Sequence, residues 1–471
     1  MQILTRNATV NKYEEMFSRD ALYFAFVANV LPSVPYFVLA FFVCPQRFQP
    51  IVLYLVLAVI GLQLNVIFLA VLAALIVVFD VVVVTSGIFN FSPELILDSV
   101  KYSASLDLFS FAGYTLLACV IAFFVGLYVY LIVRNRQKFK QVSLIPAILM
   151  CCVMLALDFY FNMSPQTKLA RAFQNKVEFT SAMSQTGLDQ PVPAAKKQNV
   201  LVVMVESMGA YADPAHQRIL WEILQVPEIE AAFEITTGQG PYDGSTTAAE
   251  SRELCGRWGD YPDYLEKLRY NCLPAAYVDA GYETAAFDAF YGALFDRTEW
   301  FPRIGFQSLF FREQLEGSEH IPAGKTCGLT FKGLCDLDLA DAVEAYLDSP
   351  GDKPKFAYWL TLHTHLPLEP NATTPRLDCD SGGPFDDWTI CTMTEMWMDL
   401  FYRVKEIALN PDLQNTQILL VGDHHPPVWT RQGRKQFAPG QIAWMHLKPK
   451  PDDRRETIAS APLPIRSALR D

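Results

Sequence analysis

Charge is scarce in this chain of 471 residues: 19% are Asp, Glu, Lys or Arg, against 51% apolar. A disordered protein or a coiled coil needs far more charge, so both are excluded. The chain also has no C-x-x-C pair, which argues against a zinc site built on cysteine, and no internal repeat or low-complexity tract. Basic residues are short as well, and the net charge of −12 is unevenly spread. Residues 1–164 carry nine Lys/Arg and eight Asp/Glu, which leaves −13 on residues 165–471. A strongly negative domain offers no basic face to phosphates, so nucleic acid is excluded as a partner. An anionic substrate would need a metal ion or a few aimed Arg and His side chains.

Long apolar runs are what the first third does have. Residues 21–43 are an uninterrupted apolar run, long enough to cross a hydrocarbon core of roughly 30 Å, with Pro32 and Pro35 as expected kinks. No small-residue cleavage site follows a short core, so the run reads as an anchor and not a removable signal. Residues 51–84 hold one charge, Asp80; as a single helix they would extend about 51 Å, too long for one crossing. The polar break at Gly61, Gln63 and Asn65 predicts a hairpin between spans at 48–63 and 66–88. Residues 108–133 and 142–161 complete a set of five. The strongest basic loop is Arg134, Arg136, Lys138 and Lys140, and Arg6, Lys12 and Arg19 lie near the start. If both groups are cytoplasmic, an even number of spans separates them, and five spans put the rest of the chain outside the cytoplasm. Asp80 and Asp158 fall near outer ends of spans, where a carboxylate is expected to reach water.

Cysteine placement agrees with that topology. Cys44, Cys119, Cys151 and Cys152 lie in or beside spans and read as small apolar residues. Cys255, Cys272, Cys327, Cys335, Cys379 and Cys391 all lie in the acidic part, an even number as an oxidising compartment allows. Fifteen pairings are possible; sequence proximity favours Cys255 with Cys272, Cys327 with Cys335 and Cys379 with Cys391.

Residues 164–198 are polar and mixed, ending in PVPAAKK, and read as a linker. Beyond it, NVLVVMV at 199–205 is a short continuous apolar run of the kind buried in a parallel sheet. FAYWLTL at 356–362 and QILLV at 417–421 are similar, and 442–447 is weaker. Helical stretches at 337–347 and 394–409 lie between them, so the expected fold is an α/β domain with a mostly parallel central sheet. Ligands of such sheets bind at the carboxyl ends of the strands. Glu206 and Ser207 follow the first strand, His363 and His365 the second, and Asp423, His424 and His425 the third. A Glu, an Asp and a His from separate strand ends can converge on one divalent cation. A nucleophile is available in the glycine-rich GQGPYDGSTTAAE segment at 238–250, which runs into a helix. Hydroxyls there would face backbone N–H groups and the positive end of the helix dipole. Plain helix capping by Ser245 or Thr246 is the competing reading.

VES after the first strand, GSTTAAE before a helix, THLPL, and VGDHHPP together resemble the alkaline phosphatase and sulfatase superfamily. More closely they resemble its membrane-anchored branch of lipoteichoic acid synthase-type phosphoglycerol transferases, in which five spans precede an outer catalytic domain. The resemblance implies a membrane domain over 1–163, a linker over 164–198 and a sulfatase-like catalytic domain over 199–471, in a bacterial inner (plasma) membrane with that domain periplasmic or extracytoplasmic. It implies Glu206, Asp423 and His424 as ligands of one divalent ion, with Thr246 as nucleophile and fourth ligand and Thr247 as the alternative. Mn²⁺ suits an oxygen-rich set better than Zn²⁺, with Mg²⁺ also possible. His365 would contact the phosphate or protonate a leaving oxygen. Arg297 matches the substrate-binding Arg, with Trp300 nearby and His363 as a further contact.

One departure stands out: Asp288 occupies the position of a His that would help hold the substrate. The implied reaction moves a phosphoglycerol group from a membrane phospholipid donor to a glycan or glycolipid hydroxyl through a phospho-threonine. Phosphoethanolamine transfer, sulfatase-like hydrolysis and a non-catalytic binding module are the alternatives. The nearest approach to the sulfatase C-x-P-x-R modification motif is Cys272-Leu273-Pro274-Ala275-Ala276, which lacks its Arg.

Overall fold

The computed structural model describes residues 16–36, 46–89, 95–96, 99–107, 109–162, 178–191, 198–428 and 430–451. The chain divides into two units, Met1–Val177 with Pro427–Arg434 and Glu178–Pro426 with Lys435–Asp471.

Backbone polar groups in an apolar surround must bond within their own segment, and the first unit is accordingly helical. Its main helices are α1 (Arg19–Ala25), α2 (Phe48–Gly61), α3 (Val66–Phe89), α4 (Ala112–Arg134) and α5 (Ile145–Asn162). By length and composition α3, α4 and α5 can cross a membrane; the 24 residues of α3 extend about 36 Å. The 14 residues of α2 reach only about 21 Å. At its C-terminus α1 passes into a π turn (Phe26–Val30) and a 3-10 turn (Leu31–Ser33) that takes in Pro32. Three spans are therefore supported where the sequence pattern predicts five. Residues 37–43 of the first expected span lie outside the described residues, as do Cys44, Arg6 and Lys12. The expected hairpin is present: α2 ends at Gly61, α3 starts at Val66, and the Asn65 side-chain oxygen accepts the Phe68 N–H at 2.9 Å.

Asp80 does not reach water. It is fully buried and binds Arg47 through two hydrogen bonds, Nε to Oδ1 at 2.8 Å and Nη2 to Oδ2 at 2.5 Å. The Arg47 guanidinium also stands 3.5 Å from the centre of the Tyr36 ring, and the Arg47 backbone N–H donates to Asp158 Oδ2 at 2.9 Å. One arginine thus answers both carboxylates that the sequence leaves in the apolar helices.

The second unit is built on an eight-stranded sheet in the order β2-β8-β7-β1-β6-β4-β5, with β3 paired to β8. Its strands are β1 (Asn199–Val205), β2 (Gly209–Tyr211), β3 (Phe233–Pro241), β4 (Glu283–Asp288), β5 (Ser308–Phe310), β6 (Lys355–Leu360), β7 (Thr416–Gly422) and β8 (Phe437–Pro449). The segment β7-β1-β6-β4-β5 is parallel, and β8 is antiparallel to β2, β3 and β7. Strands β1, β6 and β7 are the three apolar runs of the sequence, and they are buried along their length because both sheet faces are covered. The weak run at 442–447 lies in the antiparallel strand β8. Disulfides join Cys255 to Cys272, Cys327 to Cys335 and Cys379 to Cys391, the pairs that proximity favours.

Residues 178–191, expected as linker, pack onto this unit. A short helix, α6 (Ala182–Thr186), buries Ala182 and Met183, Leu188 is buried after it, and Phe179 meets the Trp258 ring edge-on at 5.3 Å. A few apolar residues in a polar stretch suffice to dock it, which composition alone does not reveal. Residues 163–177 and 192–197 of the expected linker lie outside the described residues.

Removing one member of a buried ion pair strands the other, whereas replacing both by apolar side chains is close to neutral. Asp80→Asn or Arg47→Met alone should therefore lower stability by about 3–5 kcal/mol, and the R47M/D80L double variant should recover most of it, read by denaturation of the detergent-solubilised protein.

Candidate active site

Parallel strands β1 and β7 are neighbours, so the residues that follow them emerge side by side. Glu206 follows β1; Asp423 and His424 follow β7. One ligand atom from each lies within 4.8 Å of the others. Gly422 permits this approach, since a Cβ there would collide with the Met208 carbonyl oxygen. Ser207, with φ of +60°, turns the chain sharply after Glu206. Its backbone N–H donates to Asp423 Oδ1 at 2.7 Å and its hydroxyl to Glu206 Oε1 at 2.8 Å. The Glu206 backbone is pinned in turn: its N–H donates to Thr361 Oγ1, and its carbonyl accepts from Thr364 Oγ1 and Trp397 Nε1.

Helix α7 (Thr246–Cys255) brings the fourth residue. Gly244, with φ of +96°, makes the turn that starts it. The Thr246 hydroxyl lies 3.0 Å from Asp423 Oδ2, 3.3 Å from Glu206 Oε2 and 3.4 Å from His424 Nε2. Thr247 faces elsewhere, its hydroxyl donating to Asp260 Oδ1 at 2.5 Å and meeting Ser245 Oγ at 3.1 Å. Ser245 is the N-cap residue but makes no side-chain capping bond. The hydroxyls of this helix start are thus not occupied in capping, and Thr246 is the one that meets the strand-end cluster.

The electrostatics of this cluster are unbalanced without a cation. Burial, and then the neighbouring Asp423 carboxylate, push the Glu206 carboxyl well above the usual range. Among the described residues the ion-pair neighbour of both carboxylates is His424, 3.9 Å from Glu206 Oε1 and 3.4 Å from Asp423 Oδ2. His424 Nδ1 is 2.8 Å from the His425 carbonyl oxygen, which turns Nε2 toward the carboxylates. Asp423 Oδ1 is used by the Ser207 and His424 backbone N–H groups, which leaves Oδ2 toward Thr246. Two carboxylate oxygens, an imidazole nitrogen and a hydroxyl form a donor set that fits a divalent cation.

His365 lies on the loop after β6 with its ring 4.2 Å from that of Phe331 and Nδ1 2.8 Å from the Leu366 carbonyl oxygen. Burial lowers its pKa to about 4, which keeps it neutral at physiological pH. The expected substrate contacts are placed differently. Arg297, on α9 (Arg297–Ile304) after α8 (Leu273–Asp279), is buried. Its Nε and Nη2 donate to Glu250 at 3.0 and 3.3 Å, and its Nη1 is 3.3 Å from Asp288 Oδ2. Trp300 is fully buried, stacked on Tyr264, with Nε1 donating to the Phe295 carbonyl. His363 pairs with Asp336 at 2.9 Å, at the start of α10 (Asp336–Asp348). Arg297, Asp288 and Trp300 are thus turned inward, whereas His363 lines a separate cavity with Asp336, Thr361 and Glu369. The physical reason for the first two is mutual: Glu250 and Asp288 together hold Arg297 in an internal ion pair.

Sequence reasoning also missed several supports. Thr361, which accepts the Glu206 N–H, lies 155 positions from its partner, and Asp260, which accepts the Thr247 hydroxyl, carries no motif of its own. Arg252, buried in α7, donates to the Gly422 and Asp423 carbonyls. The one available signal is that Glu250, Arg252 and Glu253 crowd three charges into four consecutive positions of a short helix.

Glu250 gives the site a distinct pH signature. Burial raises its pKa from 4.5 to about 7 against the opposing pull of Arg297. Between those values the folded state holds a proton that the unfolded state has lost, so this group's contribution to stability falls as pH rises through that window and is level above it. Relative to Glu250→Gln, which cannot titrate, the wild-type protein should lose on the order of 3 kcal/mol between pH 4.5 and 7.5, read as a changing difference in Tm.

The sulfatase family model matches residues 198–447. Among solved structures, lipoteichoic acid synthase LtaP from Listeria monocytogenes is 15% identical, with 58% of this chain and 72% of that chain covered at a TM-score of 0.39. Phosphoglycerol transferase GacH from Streptococcus pyogenes is 15% identical, covering 56% and 71% at 0.38. The integral membrane lipooligosaccharide phosphoethanolamine transferase EptA from Neisseria meningitidis is 15% identical, covering 92% and 88% at 0.48. No curated protein matches the chain. The matched family region exceeds half of the chain, starts just before β1 and ends within β8, and encloses the Glu206, Thr246, Asp423 and His424 cluster: the chain belongs to the sulfatase family.

Proposed function

We propose that this chain is a membrane-anchored, divalent-metal-dependent transferase that moves a phosphoglycerol group from a membrane phospholipid to a hydroxyl of a glycan or glycolipid, with Thr246 as nucleophile. The observation that carries the reading is the Thr246 hydroxyl at the N-terminus of α7, 3.0 to 3.4 Å from Asp423, Glu206 and His424. Three apolar helices in the same chain favour a lipid donor, because anchoring raises the effective concentration of donor and product. The three disulfides favour an extracytoplasmic catalytic domain, as five spans with the Arg134–Lys140 loop inside would give. A sulfatase modification site is disfavoured, since Cys272 is joined to Cys255.

Glu206, Asp423, His424 and Thr246 would hold the ion, Mn²⁺ in preference to Mg²⁺ or Zn²⁺, and its charge would lower the proton affinity of the Thr246 hydroxyl and offset that of the phosphate. In the first step Thr246 Oγ1 bonds to phosphorus as the bond from phosphorus to the diacylglycerol oxygen breaks. The proton lost by Thr246 balances the one diacylglycerol takes up. In the second step the acceptor oxygen bonds to phosphorus, Thr246 Oγ1 leaves and recovers a proton, and the acceptor releases one. Neutral His365 suits that last transfer: with Nδ1–H held by the Leu366 carbonyl, Nε2 is its accepting nitrogen. The backbone N–H groups at the start of α7 stabilise charge on the phosphoryl oxygens.

Incubating the full-length protein with labelled phosphatidylglycerol should add phosphoglycerol to the Thr246 peptide. Thr246→Ala should abolish the adduct and lower turnover by on the order of 10³-fold or more, whereas Thr247→Ala should retain the adduct. No added mass from phosphatidylglycerol would overturn the reading, and an adduct from phosphatidylethanolamine alone would reassign the donor. Mn²⁺ at about a hundred times its Kd should stabilise the protein by roughly 2.7 kcal/mol, and Asp423→Asn should remove most of that gain.

A further inference from the structure

Strand β7 leaves the sheet at Gly422, and the carbonyls of Gly422 and Asp423 stand at the end of its ladder. Carbonyls that lose ladder partners in a buried place need other donors. Arg252 supplies them: Nη2 donates to the Gly422 oxygen at 2.8 Å and Nη1 to the Asp423 oxygen at 3.0 Å. Arg252 is six residues after Thr246 on α7, about 9 Å along the helix axis. One rigid element therefore grips Asp423 at two points, its carboxylate through Thr246 and its backbone through Arg252.

The guanidinium is answered by the next residue. Arg252 Nε donates to Glu253 Oε1 at 2.6 Å, and both side chains are buried. The other oxygen, Glu253 Oε2, accepts the backbone N–H of Met183 at 3.0 Å. That N–H belongs to the first turn of α6, where no intrahelical partner exists, so Glu253 satisfies a donor of segment 178–191. The segment is held at further points: Tyr277 donates to the Leu188 carbonyl at 2.8 Å, Gln185 Nε2 to the Gln239 carbonyl at 3.3 Å, and Phe179 packs on Trp258. A continuous line of buried polar contacts thus runs from segment 178–191 through Glu253 and Arg252 to the backbone of a proposed metal ligand.

We propose that Arg252 and Glu253 are a positioning pair that sets the turn bearing Asp423 and His424, and that they make its geometry depend on the docking of residues 178–191. Neither side chain touches the proposed ion or substrate. The inference rests on the metal site proposed above. It goes beyond that reading by making the stretch before β1 a working part of the site, although the matched family region starts only at residue 198.

The test is Mn²⁺ titration of the full-length, detergent-solubilised protein, reading free Mn²⁺ by electron paramagnetic resonance, with circular dichroism to establish folding. Arg252→Lys keeps the charge opposite Glu253 but cannot span two carbonyls, and it should weaken Mn²⁺ binding by about tenfold, within the range for groups that orient ligands. Arg252→Gln should weaken it further. Met183→Pro removes both the buried side chain and the N–H that Glu253 accepts, in the first turn of α6, while Met183→Ala removes the side chain and keeps the N–H, so the comparison of the two isolates that N–H. The first should weaken binding severalfold relative to the second. Folded Arg252→Lys and Met183→Pro variants that bind Mn²⁺ like wild type would overturn the positioning role. A wild-type protein that binds Mn²⁺ no better than Asp423→Asn would overturn the metal reading, and this inference with it.

Discussion

Two carboxylates, Glu206 and Asp423, stand at the ends of adjacent parallel strands, buried and within reach of one hydroxyl. Like charges held together away from water repel strongly, and a fold tolerates them only when something offsets the cost. Much of the surrounding structure answers that constraint. Ser207 adopts a left-handed conformation to place an N–H and a hydroxyl on the two carboxylates. Gly422 opens the space in which the strand ends meet. Arg252 holds the backbone behind Asp423 without touching its carboxylate, so it steadies the ligand and leaves the negative charge unneutralised. An arginine paired directly to either carboxylate would satisfy the charge and leave no site for a cation.

A few residues further along α7 the same problem is solved in that second way. Glu250 and Asp288 are also buried carboxylates close to each other, and there Arg297 binds both, with Tyr358 donating to Glu250 at 3.2 Å. This cluster is closed: each nitrogen of Arg297 has a carboxylate partner. The contrast separates a structural ion-pair network from a site built to accept a cation, although both contain strand-end or helix carboxylates with raised pKa values. A perturbed pKa marks either kind; the identity of the neighbouring cation distinguishes them.

That contrast also explains what can and cannot be read from the sequence. The sheet core is legible because β1, β6 and β7 are buried on both faces and so appear as unbroken apolar runs. Reading the residues just beyond those runs finds Glu206, Asp423 and His424, since parallel neighbours bring their ends together whatever the rest of the fold does. Cysteine proximity finds the three disulfides for a similarly local reason. The choice between Thr246 and Thr247 is not legible, because adjacent helix positions differ by about 100° in direction and only the placement of Asp260 and Asp423 decides which hydroxyl goes where. Arg297 and Trp300 lie apart from the expected contacts for a related reason: their types suit a substrate, but Glu250, Asp288 and Tyr264 hold them inside the fold. Asp80 is misread because its partner Arg47 lies 33 positions away, outside any helical spacing.

Capture of Arg297 has an electrostatic consequence for a domain that carries nearly all of the chain's negative charge. With that guanidinium internal and His365 neutral, neither side chain offers a formal positive charge to a phosphate. Among the described residues of the cluster, the amino end of α7, equivalent to roughly half a unit charge, is left, together with any cation that Glu206, Asp423 and His424 would hold. An acidic domain slows the arrival of a free anionic substrate by diffusion. A donor confined to the same membrane as the protein is not limited by that arrival, because its effective concentration is set by confinement. The internal ion pair and the apolar helices therefore support the same reading: a site with little long-range attraction for anions suits a substrate that is already held nearby, with the positive charge needed at phosphorus concentrated at a single point.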